Sequence, residues 1–213
     1  MNQIPTKEEM TAALQARIGV PLQQTFQKST VAVCGLGGLG SHIAYALARA
    51  GVGTLILIDF DTVDLSNLNR QQYGVSQLGQ PKAAALADGI REAAPYVVTI
   101  PHAVRLTREN IPALVRDADV ICEAFDQPDE KSMLVDTVLE TFPEKYIVAA
   151  SGMAGLSGAN SIKTRRITKR FYLCGDGVSD VADDIGLVCP RVMLCAAHQA
   201  QAVLRILAGQ FDV

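Results

Sequence analysis

Tryptophan is absent from this 213-residue chain, aromatic residues are few, and no C-x-x-C pair occurs among its five cysteines. With 49% hydrophobic residues and so few aromatics, the core has to be built from Ala, Leu, Val and Ile, the composition of an α/β protein. The length fits one large domain with a substantial core. No basic run appears and the formal net charge is −3, which argues against a nucleic-acid partner. No apolar segment approaches the roughly 20 residues that span a bilayer, so no membrane role is expected. The opening MNQIPTKEEM lacks the basic-then-apolar layout of a signal peptide, and the expected address is cytoplasmic. Disulfides are not expected there; Cys34 and Cys122 lie in apolar runs and read as small core residues.

What is present centres on Val31 to Arg70. Val31–Cys34 is a short β-branched run suited to a buried strand, and Gly35, Gly37 and Gly40 follow in a G-x-G-x-x-G frame, with Gly38 between them. Such glycines serve a tight turn, close approach to a phosphate and close packing of the next helix on the strand. A helix is predicted over Gly38 to Ala50, its N-terminal N–H groups aimed at phosphates. A second buried strand over Thr54 to Ile58 delivers Asp59 about 20 residues past the last glycine, where a carboxylate can hold ribose hydroxyls. The stretch reads as a nucleotide-binding βαβ unit.

After Asp59 the chain departs from an ordinary dinucleotide fold. D-F-D-T-V-D-L-S-N-L-N-R-Q, residues 59–71, is polar and turn-rich, and Lys82 then opens a helix after Gln80-Pro81. The GLGGLGS turn, the DFDTVDLSNLNRQ block, Lys82 and Asp126 together resemble the ThiF/MoeB family, the ubiquitin-activating-like adenylyltransferases that activate small ubiquitin-fold sulfur carriers. The resemblance covers most of the chain and is most specific at SNLNRQ.

That resemblance implies ATP and Mg2+ as cofactors. It implies nucleotide contacts from Gly35, Gly37, Gly38, Gly40, Asp59, Asp61, Asn67, Arg70 and Lys82, and a magnesium ligand at Asp126. Arg17 matches an arginine that family members place before the first strand, reaching the triphosphate, often of the neighbouring subunit. Many members hold a structural zinc on two C-x-x-C pairs; this chain has none, so no zinc is expected and a shorter branch is indicated. Some members form a covalent adduct through a cysteine, for which Cys174, in what reads as a Gly-Asp loop, and Cys189 are the candidates. The short zinc-free layout, with C-G-D at Cys174 and P-R-V from Pro190, looks most like the branch of thiamine thiazole synthesis, with a ThiS-like carrier. Molybdopterin synthesis is the next possibility. The family's habit and the apolar stripe of the first helix favour a homodimer.

The rest of the chain supports a Rossmann-like, mostly parallel sheet covered by helices, with antiparallel strands in the C-terminal third. Residues 1–29 form an N-terminal helical segment, with Thr6 and Glu9 as a capping box and Met10, Leu14 and Ile18 as its stripe. Residues 30–151 form the nucleotide-binding part, with helices after Lys82 and Pro128, a short segment capped by Thr107, and strands at 97–100, 120–124 and 146–150. Residues 152–213 hold a flexible glycine-rich stretch, a charged strand or hairpin between Ser161 and Leu173, an Asp-rich loop over 174–187 and a helix over Pro190 to Leu207. This last third would bind the carrier. The basic strand reads as a solvated face or a guide for an acidic carrier, and His198 as a packing histidine.

Adenylation sets two anions against each other, so the protein must neutralise and align charge and need not supply a nucleophile. Arg70 and Lys82 are the cations for the β- and γ-phosphates, and Asn67 can bridge ribose and phosphate. Two readings of other classes stand beside this one. An NAD-dependent oxidoreductase accounts for the glycines and Asp59, but leaves SNLNRQ, Lys82 and Asp126 without a role. A non-catalytic carrier-binding protein would have no reason to keep the charges.

Overall fold

The structure, a computed structural model, describes residues 4–182 and 185–213; Asp183 and Asp184 of the Asp-rich loop lie outside the described residues. Helix α1 (Lys7–Ile18) starts at the expected capping box: Glu9 N donates to Thr6 Oγ1 at 3.2 Å and Thr6 N to Glu9 Oε2 at 2.7 Å. A second helix, α2 (Val20–Lys28), follows across Gly19, whose φ of 83° breaks the path between them. No α1 residue is fully buried, whereas α2 buries Gln23 and Phe26.

Among the described residues seven strands form one sheet. They are β1 (Thr30–Cys34), β2 (Thr54–Ile58), β3 (Val98–His102), β4 (Val120–Glu123), β5 (Tyr146–Ala150), β6 (Lys163–Arg166) and β7 (Phe171–Gly175), in the spatial order β3-β2-β1-β4-β5-β7-β6. β1 to β5 pair in parallel, and β7 continues the parallel set on β5. Among the described residues only β6 runs antiparallel, pairing Lys163–Arg166 with Gly175–Tyr172. The expected hairpin is therefore present, but its second strand inserts between the first and β5, which makes that strand parallel to its other neighbour.

Helices α3 (Gly38–Ala50), α4 (Lys82–Ala93), α5 (Ile111–Leu114), α6 (Pro128–Thr141) and α7 (Cys189–Leu207) cover the sheet. Alternate strand residues face opposite layers. Val31, Val33, Leu55 and Leu57 share one core with Ile43 and Leu47 of α3, Leu86 and Ile90 of α4, and Val203 of α7. Ala32, Ile56, Ile58, Ile121 and Ile147 share the other with Ile111 of α5 and Leu134 and Val138 of α6. Asn110 precedes the short α5 without a side-chain cap bond to it; one turn earlier the expected Thr107 caps the approach, its N–H donating to Asn110 Oδ1 at 2.8 Å and its Oγ1 accepting from Asn110 N at 3.4 Å. From β1 the chain winds outward to β2 and β3, then returns to β4 on β1's other side. The strand order thus reverses between β1 and β4, and a crevice opens at their carboxyl ends.

Candidate functional site

The crevice is a cleft of about 630 Å3 lined by the glycine turn, the 59–71 block, Lys82, the turn after β4, and residues 151–153 and 179–181. At its floor Gly35 has φ of 87°, a conformation that glycine adopts without strain. A side chain at Gly40 would put Cβ 1.8 Å from the Gly35 carbonyl oxygen, so this glycine lets α3 lie directly on the turn. Gly37 has nothing nearer its missing Cβ than Gln71 Nε2 at 3.7 Å, and it opens onto the cleft.

The turn is tied down from several sides. Leu36 N donates to Asp59 Oδ2 at 2.6 Å, Asp61 N donates to Asp59 Oδ1 at 2.8 Å, and Tyr73 Oη donates to Leu36 O at 2.8 Å. Asp59 is 8% exposed, and burial raises its pKa against these hydrogen bonds and the nearby Lys82. Its carboxylate thus splices β2 to the glycine turn as well as facing the cleft.

Helix α3 also positions the arginine-bearing block. Gln72 N donates to Ser41 Oγ at 3.0 Å, and His42 Nε2 lies 3.2 Å from Arg70 O. Burial lowers the His42 pKa, so the neutral ring is favoured as the donor to that carbonyl. Asp64 caps a single 3-10 turn over Leu65–Asn67, in which Asp64 N donates to Asn67 Oδ1 at 3.1 Å. Arg70 Nη1 donates to Ser66 O and Asn69 Oδ1, at 3.1 and 2.8 Å. Arg70 Nε and Gln71 Oε1 are buried without a hydrogen-bond partner among the described residues, and both side chains line the cleft. A buried unpaired donor and acceptor of this kind are costly unless a ligand meets them. Lys82, also on the cleft and 5% exposed, pairs with Asp61 at 2.9 Å.

β4 ends at Glu123, which is fully buried. Its Oε1 accepts from Phe125 N at 2.7 Å and from Lys131 Nζ at 2.9 Å. Burial pushes its pKa up, and Lys131 opposes that shift. Lys131 also donates to Phe125 O at 2.9 Å, so the pair braces the turn that presents Asp126 to the cleft.

Gly35, Gly37, Gly38, Asp59, Asp61, Asn67, Arg70, Lys82 and Asp126 are therefore brought together on one cleft. Three expected residues are not. Gly40 packs α3 onto the Gly35 carbonyl and does not line the cleft. Arg17 is exposed on α1, which packs where Leu14 approaches Gly51 at the far end of α3, away from its own chain's cleft. Cys174 is a residue of β7 rather than of a loop; it is fully buried, and burial drives its thiol up to about 11. A thiol so held is protonated at neutral pH and cannot act as a nucleophile without rearrangement. His198 packs as expected, with Nδ1 2.9 Å from Thr164 Oγ1. Glu123, Lys131, Tyr73 and Gln71 escaped the sequence reading. Only the i, i+8 separation of Glu123 and Lys131 across a strand-to-helix turn could have flagged that pair. Among the described residues no group of three or more His, Cys, Asp or Glu side chains could hold a metal ion, and no helix is long and apolar enough to cross a membrane.

The sequence profile of the ThiF family matches residues 11–212. The chain belongs to the ThiF family. This ThiF-family chain is 37% identical over 138 residues to the Aspergillus terreus adenylyltransferase and sulfurtransferase uba4, an alignment covering 64% of the chain and 28% of that protein. It is 32% identical to the Danio rerio adenylyltransferase and sulfurtransferase MOCS3 over 92% of the chain and 44% of that protein. It therefore spans less than half the length of either relative. With the Escherichia coli molybdopterin-synthase adenylyltransferase it shares 28% identity, over 88% of the chain and 76% of that protein. Among solved structures, the E. coli tRNA N6-threonylcarbamoyladenosine dehydratase TcdA in complex with ATP has the same fold, with a TM-score of 0.85 at 20% identity and 98% coverage of both chains.

Proposed function

We propose that this ThiF-family chain is an ATP- and Mg2+-dependent adenylyltransferase that activates the C-terminal Gly-Gly carboxylate of a small ubiquitin-like sulfur carrier. The observation that carries the reading is the convergence of the glycine turn, Arg70, Lys82 and Asp126 on one cleft at the β1–β4 switch point. The relatives' names, which describe adenylyltransferases, support it.

In this reading a carboxylate oxygen of the carrier attacks the α-phosphorus of ATP. The bond from that phosphorus to the oxygen bridging the β-phosphate breaks, and pyrophosphate leaves. Arg70 and Lys82 spread the charge of the β- and γ-phosphates. The unpaired Arg70 Nε and Gln71 Oε1 are the groups that gain partners when the cleft fills. Asp59 and Asn67 face the ribose. A magnesium ion, bound through Asp126 with its other oxygens from phosphate and water, would neutralise the triphosphate; one exposed carboxylate at a strand end fits a cation that retains waters. No protein nucleophile is needed, and no covalent role is assigned to Cys174. Arg17, remote from its own cleft, would reach a triphosphate only across a homodimer.

The carrier is proposed to be of the thiamine-thiazole type, on the short layout without C-x-x-C pairs. A molybdopterin-synthase carrier is the second reading, favoured by the E. coli relative that aligns over most of both chains. A cytoplasmic setting suits either. The test is Asp126→Ala assayed against both carriers: adenylate formation should collapse while carrier binding and folding persist. Unchanged turnover removes Asp126 as the metal ligand, and the preferred carrier decides the pathway.

A further inference from the structure

The glycine-rich stretch after β5 reads as flexible, yet its residues are pinned by a side chain outside the nucleotide half of the cleft. Arg191, in the first turn of α7, is 5% exposed. Its Nε donates to Ala154 O at 2.9 Å, its Nη1 to Ser157 O at 2.8 Å and Gly158 O at 3.4 Å, and its Nη2 to Ser161 Oγ at 3.2 Å. The same Nη2 forms an ion pair with Asp176 Oδ2 in the loop after β7. The other oxygen, Asp176 Oδ1, accepts from Val178 N, Ser179 N and Ser179 Oγ. Ser179 Oγ in turn accepts from Ala154 N at 3.1 Å.

One buried ion pair thus fastens three pieces of chain to each other: residues 154–161, residues 176–179 and the head of α7. The packing beneath it leaves no slack. A side chain at Gly152 would put Cβ 2.0 Å from Asp176 Oδ1, and one at Gly175 would put it 1.9 Å from Ser151 O. A buried cation at a helix N-terminus faces the positive end of the helix dipole, so Arg191 is placed where it costs stability unless its partners are all in place. What the clamp holds is part of the cleft's lining: Ser151, Gly152, Met153, Ser179 and Val181 line the same cleft as the glycine turn and Asp126. The small side chains Ser151, Gly152 and Ser179 leave room for a thin, extended chain. The phosphate-facing cations, Arg70 and Lys82, belong to other elements.

Building on the adenylyltransferase reading, we propose that Arg191 and Asp176 are positioning residues that fix the wall along which the carrier's Gly-Gly tail lies. They set the affinity for the acceptor carboxylate and leave nucleotide binding to the opposite side.

The experiment compares the wild type with Arg191→Lys, which keeps charge but loses the fork, Asp176→Asn, and the milder Ser179→Ala. KM for carrier and for ATP are measured separately in ATP–pyrophosphate exchange, alongside hydrogen exchange of the amides of residues 152–160. For Arg191→Lys and Asp176→Asn the carrier KM should rise about tenfold or more, with the ATP KM within about twofold, the split expected for lost acceptor binding. Ser179→Ala, which removes one strut and is expected to fold, should raise the carrier KM about threefold, and protection over 152–160 should fall in step across the variants. Equal changes in both KM values, or a folded Ser179→Ala and Arg191→Lys with an unchanged carrier KM, overturn the proposal while leaving the adenylyltransferase intact. If the wild type shows no carrier-dependent exchange, the functional reading fails instead. The clamp is then judged by protection alone, and unaltered protection in Arg191→Lys overturns it too.

Discussion

Gly40→Ala is the substitution for which helix propensity and this fold give opposite answers. Gly40 lies in the first turn of α3, where alanine would ordinarily gain up to about 1 kcal/mol of helix stability. Here the new Cβ would lie 1.8 Å from Gly35 O, 2.9 Å from Gly35 C and 3.2 Å from Val33 Cγ1. The carbon–oxygen contact falls short of a normal separation by about 1.5 Å. Its nearest neighbours are backbone atoms of the glycine turn, so no rotamer change relieves it; α3 must lift off β1, or the turn must move. Overpacking of this severity costs about 3 kcal/mol, which leaves a net loss of about 2 kcal/mol after the propensity gain. With a urea slope of about 2 kcal/mol/M, the unfolding midpoint should drop by about 1 M. Because Leu36 N, Asp59 and Tyr73 Oη meet on the displaced turn, ATP affinity in the folded variant should fall by about tenfold or more, a loss of about 1.4 kcal/mol. Gly74→Ala serves as the control: Gly74 has φ of −94° and nothing nearer its missing Cβ than Ser76 Oγ at 3.8 Å. Urea melts monitored by circular dichroism and nucleotide titration read both effects. A Gly40→Ala midpoint at or above that of the wild type refutes the close-packing argument.

Lys131→Met should cost about 3 kcal/mol in the same melts, because it strands the buried Glu123 carboxylate, and adding Glu123→Gln should recover a large part of the loss. A Lys131→Met loss below about 0.5 kcal/mol would show that the pair is not coupled. Asp176 has a depressed pKa: burial pulls it upward, but the Ser179 and Val178 N–H groups, the Ser179 hydroxyl and Arg191 outweigh burial. Its contribution to stability is complete above the usual aspartate value of about 3.9 and is lost as pH falls through the lower folded value. Acid titration of stability should therefore lose part of its slope below about pH 4 in Asp176→Asn, and identical acid limbs would contradict the assignment. Iodoacetamide applied to the native protein at neutral pH should label the partly exposed Cys189 well before Cys174, whose thiol burial pushes up to about 11, and Cys174→Ala should keep activity. Peptide mapping decides the order of labelling; preferential modification of Cys174 would reinstate it as a reactive group.

Much of this architecture is legible in residue order because the elements are self-contained. Gly38–Ala50, Thr54–Ile58 and Tyr146–Ala150 each carry their own periodicity and their own stop, and the structure returns them with those bounds. The glycine frame, Arg70, Lys82 and Asp126 are legible because they come in short motifs with fixed spacing. What the chain order conceals is set by contacts distant in sequence. Helix α2 is hidden by Gly19-Val20-Pro21 and a mixed polar surface, and only burial of Gln23 and Phe26 explains it. Cys174 sits before Gly-Asp-Gly and so looks like loop, but pairing with Ala150 and Thr164 draws it into the sheet. The stretch from Ser151 reads as flexible because its glycines carry no pattern; its order comes from Arg191, some 30 to 37 residues away. Arg17 has the right residue type in the right place along the chain, but α1 carries it to the opposite end of α3.

Carrier-dependent exchange of labelled pyrophosphate into ATP tests the central claim most directly, using the purified chain, Mg2+ and carriers ending in Gly-Gly. The account predicts exchange that requires both the carrier and its intact C-terminal glycine, and that disappears when the carrier's terminal carboxylate is amidated. Absence of exchange with both thiamine-type and molybdopterin-type carriers, together with tight NAD binding in the same cleft, would contradict it and return the oxidoreductase reading. Carrier binding without exchange and without NAD binding would contradict it equally and leave a non-catalytic binding protein.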